Sequence, residues 1–216
     1  MRLFTALLPP ARVLDGPGQL SDKVAELRSL DDTGRLRWAD RANWHITLAF
    51  YGEVSDAKLD ELCERLSRAA RRGHPLRLRI AGGGRFGDRS LWAGVTGAPP
   101  GDGGEGEERE QAGHAQVSGP GGEMHALRRL AAAATAAGRR TGLGTDEPHQ
   151  FRPHLTLARA RSHGPGLRPF TAALDGFAGE PWTADGLALV RSNLPDSGVQ
   201  GEQPRYEQIA GWPLGE

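Results

Sequence analysis

The sequence is poor in the residue types that mark several classes of protein. Among its 216 residues it has a single cysteine, Cys63, so it cannot form an internal disulfide, and such a chain is typical of the cytoplasm. It contains no apolar run near the roughly 18–20 residues that a membrane-spanning helix needs, and we expect no membrane partner. Because acidic and basic residues balance at a net charge of zero, the overall charge indicates no polyanionic partner.

Familiar nucleotide-binding and nucleophile motifs are also missing. No glycine-rich phosphate loop with its lysine precedes a predicted helix, and the segment GGGRFG at residues 82–87 is interpreted as a turn. Cys63 falls in a helical pattern, and we expect a structural thiol there. Zinc usually needs three or four ligands, whereas His149 and His154 lie among prolines without HExxH or paired cysteines. The sequence therefore predicts no metal site and no other cofactor.

The spacing of apolar residues predicts an α+β chain. A period of about 3.6 residues predicts a helix, and alternation predicts a strand. Helices are expected at residues 19–30, 55–71, 123–138 and 167–174. Strands are expected at residues 2–8, 44–51, 75–82, 90–97, 154–161, 185–194 and 205–214. This order is not a strict βαβα alternation, so it indicates an α+β or split βαβ architecture.

One internal segment differs in composition from the rest of the chain. Residues 98–122 are rich in glycine, proline and glutamate and contain few apolar residues. Such a composition buries too little apolar surface to offset the entropy lost on ordering the chain. We expect a mobile or disordered loop here, inserted into a single domain that spans residues 1–216. Arginines cluster instead at residues 65–90, as a phosphate-binding stretch or a solvated face.

Two distant segments share five consecutive residue types. ANWHITLAF at residues 42–50 and FRPHLTLAR at residues 151–159 both contain His, then Ile or Leu, then Thr, Leu and Ala. A histidine in a single strand of this kind is usually a structural residue with its hydrogen bonds satisfied. Two matched copies in one chain favour a shared function for the two segments.

Strand geometry groups the polar side chains of each segment. Residues i and i+2 of a strand lie on the same face, so His45 shares a face with Thr47 and His154 with Thr156. One imidazole can act as a base and the other as an acid near neutral pH, and hydroxyls can donate to phosphate oxygens. The pattern therefore predicts in-line attack on phosphorus by a pair of histidines, without a metal ion.

The paired motifs resemble those of the two-histidine phosphoesterase superfamily. Within it, the sequence is similar to the LigT-like RNA 2′,3′-cyclic phosphodiesterases, also called the 2′-5′ RNA ligase family. The likeness extends over nearly the whole chain, from RLFTALLP at residues 2–9 to RYEQIAGWPL at residues 205–214. It implies a bilobed α+β fold of two pseudo-symmetric lobes, each a small antiparallel sheet with flanking helices, that face each other across a cleft.

The resemblance also implies a reaction. This reaction is hydrolysis of an RNA-terminal 2′,3′-cyclic phosphate to a 2′-phosphomonoester, by a protein expected to be a cytoplasmic monomer without cofactors. His45 would be the general acid for the leaving 3′ oxygen, and His154 would be the general base that activates water. Thr47 and Thr156 would bind the phosphate oxygens.

Three further residues are assigned to substrate binding. Arg152 matches an arginine often found two residues before the second histidine, and it would make a charge-assisted contact. Tyr206 and Phe50 would stack on a base or line the cleft. The alternatives are the same chemistry on a small cyclic nucleotide or an ADP-ribose cyclic phosphate, the joining of tRNA fragments through a 2′-5′ bond, and RNA binding without turnover.

Overall fold

The structure is a computed structural model that describes residues 1–32, 34–99, 119–144, 151–161, 166–195 and 202–215. The strands, in chain order, are β1 (Arg2–Leu7), β2 (Leu36–Trp38), β3 (Ile46–Glu53), β4 (Leu76–Phe86), β5 (Ser90–Gly97), β6 (His154–Ala160), β7 (Trp182–Ala184), β8 (Gly186–Asn193) and β9 (Arg205–Pro213). The helices are α1 (Ala11–Leu14), α2 (Leu20–Ser29), α3 (Asp56–Arg71), α4 (Pro120–Arg140) and α5 (Arg168–Leu174).

The strands form two antiparallel sheets. Sheet A has the strand order β3-β1-β8-β9, and sheet B has the order β2-β6-β5-β4-β7. The two repeated segments lie in different sheets, one on β3 beside β1 and the other on β6 beside β5. We call β3 and β6 the motif strands. This arrangement confirms the expected α+β fold with two small antiparallel sheets.

One continuous apolar core joins both sheets to the helices. In α3, Leu62 and Leu66 lie four positions apart and are both fully buried, as the helical stripe predicts. In α4, a Cβ at Gly138 would lie 2.6 Å from the ring of Tyr51, so only glycine permits this close packing. The Tyr51 hydroxyl donates to the carbonyl of Ala134 at 3.0 Å. These contacts pack one face of β3 against α4, and the other face of β3 borders the cleft.

The cleft face of sheet A is covered by a second, smaller apolar cluster. Its buried members are Phe4, Ala6, Ala188 and Val190, and Tyr206 packs against it. These residues come from β1, β8 and β9, which are neighbours in the sheet. The cluster therefore excludes water from the floor of the cleft on the side of the first motif strand.

Only Gly87 of the segment GGGRFG lies in a turn, and the other five residues belong to a strand, which corrects the expectation from the sequence. Strand β4 continues through these residues to Phe86, and Gly84 pairs with Trp92 of β5. A Cβ at Gly84 would lie 2.3 Å from the Trp92 indole. Glycine is needed here because the indole lies directly over the backbone of β4, and not because the chain reverses.

Other departures concern short or excluded segments. Strands β2 and β7 were not expected, because each has three residues and is too short to show alternation. Helix α4 begins at Pro120, inside the segment 98–122 predicted as a loop, while residues 100–118 of that segment lie outside the described residues. Within the part of the chain that is described, no helix is long and apolar enough to cross a membrane.

Candidate active site

A cavity of about 500 Å³ lies between the two sheets. His45 and Thr47 line it from sheet A, and Thr156 lines it from sheet B, so the faces agree with the strand periodicity. Cα atoms of β3 and β6 approach within 8 Å of each other. His154 begins β6 and is near enough for its charge to lower the pKa of His45. The two repeated segments therefore meet at one site.

Both motif strands contain an extra residue at the same point. The ladder skips the leucine that follows the motif threonine, Leu48 in β3 and Leu157 in β6. A bulge of this kind increases the local twist and changes the direction of the side chains that follow. In β3 the bulge directs Phe50 to the cavity, whereas Ala49 is buried in the core.

Both imidazoles are held in the same way. Nδ1 of His45 lies 2.7 Å from the carbonyl oxygen of Asn43, and Nδ1 of His154 lies 2.6 Å from that of Arg152. A carbonyl oxygen only accepts, so each neutral ring carries its proton on Nδ1 and donates it. Nε2 is then an acceptor, which is the state that a general base requires.

His45 is the more buried of the two histidines. Its ring centroid lies 4.7 Å from that of Phe4 and 5.1 Å from that of Tyr206. Burial lowers the pKa of His45 from 6.5 to about 4; the hydrogen bond to Asn43 opposes this shift, and the charge of His154 adds to it. His45 is therefore neutral at pH 7 in the free protein.

His154 has its own pair of aromatic neighbours. Its ring centroid lies 5.0 Å from that of Phe86 and 5.8 Å from that of Trp92, the indole that packs over Gly84. Burial lowers the pKa of His154, the hydrogen bond to the Arg152 carbonyl raises it, and a nearby arginine charge lowers it further. The absent side chain at Gly84 thus sets the position of the wall beside His154.

The cavity carries positive charge. Arg2, Arg37 and Arg159 line it, and no Asp or Glu is among its described lining residues. Arg37 and Arg159 are directly opposite each other in the pairing of β2 with β6. Like charges in such a pair repel, and an anion bound between them would relieve the repulsion. The cavity is suited to a phosphate group.

The structure places the three residues assigned to substrate binding in different surroundings. Phe50 and Tyr206 both line the cavity, and Phe50 is 45% exposed with the Arg2 guanidinium carbon 4.8 Å from its ring centroid. The Arg152 side chain is exposed and is not among the lining residues; its contribution is the carbonyl that binds His154. Arg159 lies in the cavity instead, although the sequence reasoning did not select it.

Gln203 fixes the segment that precedes β3. Its Nε2 donates to the Trp38 carbonyl at 2.9 Å. Its Oε1 accepts from the Asp40 amide at 3.0 Å and from Nδ2 of Asn43 at 3.3 Å. Because the Asn43 carbonyl holds the His45 ring, Gln203 also positions that ring. No motif marks this glutamine, so sequence reasoning missed it.

The residues near the cavity also bear on the zinc alternative. Among the described ranges, no group of three or more His, Cys, Asp or Glu side chains is arranged to hold a metal ion. His149, which was weighed as a partner of His154 in a zinc site, lies outside the described residues. The chemistry that these residues suit best is proton transfer next to a bound anion.

Sequences of known function are similar to this chain. A family model described as LigT-like phosphoesterase matches residues 14–95, which include the His45 segment. The RNA 2′,3′-cyclic phosphodiesterase of Geobacillus stearothermophilus is 28% identical over 181 residues, which cover 82% of this chain and 47% of that protein. The protein of the same name from Thermus thermophilus is 28% identical over 210 residues, covering 92% of this chain and 85% of that protein. The chain thus spans about half the length of the first relative.

Solved structures share the fold over the whole chain. A crystal structure of a Thermus thermophilus protein has a TM-score of 0.66 and 23% identity, and the match covers 100% of this chain and 98% of that one. The structure of E. coli LigT complexed with 3′-AMP has a TM-score of 0.63 and 21% identity, with the same coverage of 100% and 98%. At these identities the likeness establishes the two-sheet fold.

Proposed function

We propose that this chain is a LigT-like phosphoesterase that acts as an RNA 2′,3′-cyclic phosphodiesterase, because a LigT-like family model matches residues 14–95 and two relatives of that name are 28% identical to it. It would hydrolyse an RNA-terminal 2′,3′-cyclic phosphate to a 2′-phosphomonoester. The observation that carries the proposal is the pair of matched His–Thr strands at one arginine-lined cavity. RNA binding alone would not need two imidazoles that are each held through Nδ1 with Nε2 as an acceptor.

The cavity supplies donors for a cyclic phosphate monoanion. Arg37 and Arg159 would contact its charge from opposite strands, and the hydroxyls of Thr47 and Thr156 would donate to its non-bridging oxygens. These contacts strengthen as negative charge builds on the oxygens in the transition state. In this proposal the threonines and arginines hold the phosphate, and the histidines move protons.

The proton transfers follow from the reaction itself. The oxygen of water bonds to phosphorus, the bond from phosphorus to the 3′ oxygen breaks, and the 2′ ester remains. The water loses a proton to a base, and the 3′ oxygen gains one from an acid. In the assignment from the sequence, His154 is the base and His45 the acid, each acting through Nε2. Burial lowers the pKa of both rings, so both are neutral at pH 7 in the free protein. The base can therefore accept a proton directly, whereas the acid must first take one up when the anionic substrate binds.

The lowered pKa of His45 favours the opposite assignment of roles. With a pKa of about 4, His45 binds a proton less tightly than His154 in the free protein. On that ground His154 would carry the proton to the leaving oxygen and His45 would accept one from water. The two assignments differ only in which face of the phosphate the water attacks, and a change of leaving group separates them.

The activity is tested with an oligoribonucleotide that ends in a 2′,3′-cyclic phosphate, in EDTA. We expect a 2′-phosphate product, identified by phosphorus NMR, and loss of activity in His45→Ala and in His154→Ala. His74→Ala is the matched control, because His74 is exposed, its Nδ1 is bonded to the Pro75 carbonyl, and it does not line the cavity. A 3′-phosphate product, full activity in either active-site variant, or abolition by EDTA would each overturn the proposed mechanism.

A further inference from the structure

A second cavity, of about 530 Å³, adjoins the candidate active site. The two cavities share Arg2, Ser192, Leu194 and Gln203 as walls. Each has a volume in the range of small-ligand pockets, which is roughly 300–1,000 Å³. Together they form one groove with two compartments, and the cavity that contains the motif threonines is only the first of these.

The second compartment is also cationic. Arg191 of β8 and Arg205 of β9 line it together with Arg2, whereas its acidic lining residues are Glu53 and Glu202. The ion pair of Arg191 with Glu207 is long, at 3.9 Å, and the two side chains are 45% and 58% exposed. Such an exposed pair contributes little stability, so the guanidinium can turn to a bound phosphate at small cost.

The chemistry of an RNA end gives the groove a direction. A 2′,3′-cyclic phosphate occupies both the 2′ and the 3′ oxygens of the last ribose, so the chain continues only through the 5′ oxygen of that ribose. A groove that leaves the catalytic cavity would therefore receive the preceding nucleotide. The phosphodiester that links the two nucleotides would cross the shared wall, where Arg2 lies over the Phe50 ring at 4.8 Å.

We propose that the second compartment is a subsite for the penultimate nucleotide of the RNA, in which Arg2, Arg191 and Arg205 bind the phosphodiester that links it to the last nucleotide. The inference rests on the function proposed above. Leu194 is 54% exposed on the shared wall and offers an apolar surface to the ribose or base. The protein then prefers a cyclic phosphate at the end of a chain to the same group on a free mononucleotide.

The test compares two substrates that differ by one nucleotide. We measure kcat/KM for a 2′,3′-cyclic mononucleotide and for a dinucleotide with the same terminal base and cyclic phosphate. The wild-type protein is expected to favour the dinucleotide, and the double variant Arg191→Gln/Arg205→Gln to lose about tenfold on it, the scale of a charge-assisted hydrogen bond. The kcat/KM for the mononucleotide is expected to stay unchanged.

Controls separate the subsite from general charge and from the proposed function. Arg128→Gln removes an exposed arginine of α4 that lines neither cavity, and it should alter neither kcat/KM value. The dinucleotide advantage should also shrink as salt is raised, because phosphate contacts release counterions. Equal losses on both substrates, or no loss on the dinucleotide, would overturn the subsite. A wild-type protein inactive on both substrates would instead overturn the proposed function.

Discussion

His45 immediately precedes β3 of sheet A and His154 begins β6 of sheet B, and His45 is the more buried of the two. Each ring donates from Nδ1 to the carbonyl two residues earlier, and each motif strand skips the leucine after its threonine. The surroundings differ, because His45 lies against Phe4 above a buried apolar cluster, whereas the rings beside His154 include a partly exposed phenylalanine. A repeated backbone can therefore present two histidines of unequal proton affinity.

The largest expected effect separates the two histidines by their chemical roles. His45→Gln or His154→Gln should each lower kcat by about 10²–10⁴-fold on a cyclic phosphate. On a phosphodiester with 4-nitrophenolate as the leaving group, that group needs no proton, so the variant lacking the acid should recover and the variant lacking the base should not. Recovery of His45→Gln would support the assignment from the sequence, and recovery of His154→Gln would reverse it. Recovery of both would contradict a division of roles.

The next effect concerns stability at low pH. His45 has a folded-state pKa of about 4 against 6.5 ordinarily, so the unfolded chain binds this proton more tightly. The free energy of unfolding should fall as pH drops from 6.5 towards 4, by up to roughly 3 kcal/mol, with no further loss from this group below 4. Urea denaturation at stepped pH measures the decline. The His45→Gln variant should show a flatter profile, and parallel profiles would contradict the burial of this ring.

A smaller effect is expected when the motif threonines, Thr47 and Thr156, lose their hydroxyl groups. Thr47→Val and Thr156→Val keep the side-chain shape and remove one donor each, so kcat/KM should fall about 10–100-fold, as for a lost hydrogen bond to a charged group. Serine at the same position should restore most of the rate. Thr135→Val is the control, because Thr135 bonds the Ala131 carbonyl within α4. Wild-type rates in both valine variants would remove the threonines from phosphate binding.

The smallest expected effect comes from a substitution at Gly84, which changes the surroundings of His154 and not those of His45. Gly84→Ala would place a Cβ 2.3 Å from the Trp92 indole and displace it, which shifts the wall beside His154. Overpacking of this kind costs about 1–3 kcal/mol of stability, and kcat should fall by less than in the threonine variants. Gly121→Ala is the matched control, because a Cβ at Gly121 meets no atom within 4 Å.

A second substitution keeps this last prediction testable if the variant is poorly stable. Trp92→Phe in the Gly84→Ala background makes room for the new Cβ, and it should recover the thermal midpoint more fully than kcat. Full recovery of both would show that Gly84 serves packing only. An unchanged thermal midpoint in Gly84→Ala would contradict the close contact itself.

Alternation along a strand was sufficient to place the motif residues but not their neighbours. His45 and Thr47 precede the bulge in β3, so counting in twos assigns their faces correctly. Beyond Leu48 and Leu157 the count is shifted by one, and it would direct Ala49, not Phe50, to the cavity. The same shift applies to Arg159, five residues after His154, which lines the cavity although counting in twos would place it on the opposite face.

Other features depend on contacts between residues far apart in the chain. Trp92 reaches His154 only because Gly84, on the adjacent strand, has no side chain. Gln203 reaches Asn43 across 160 positions. Arg152 was assigned to the substrate because it matches an arginine often found two residues before the second histidine, whereas its exposed side chain does not line the cavity. Such contacts arise from tertiary packing, which no local pattern of residue types encodes.

The hydrogen bonds of Gln203 have a consequence for synthesis. Gln203, which binds Asn43, and Tyr206, which packs against His45, are both synthesised well after His45 itself. A nascent chain that stops before residue 202 can form α3 and much of sheet B but cannot complete the surroundings of His45. Because this closure joins segments 160 positions apart, we expect it to be a slow, long-range step of folding. The surroundings of His45 are therefore completed only after residue 206 has been synthesised.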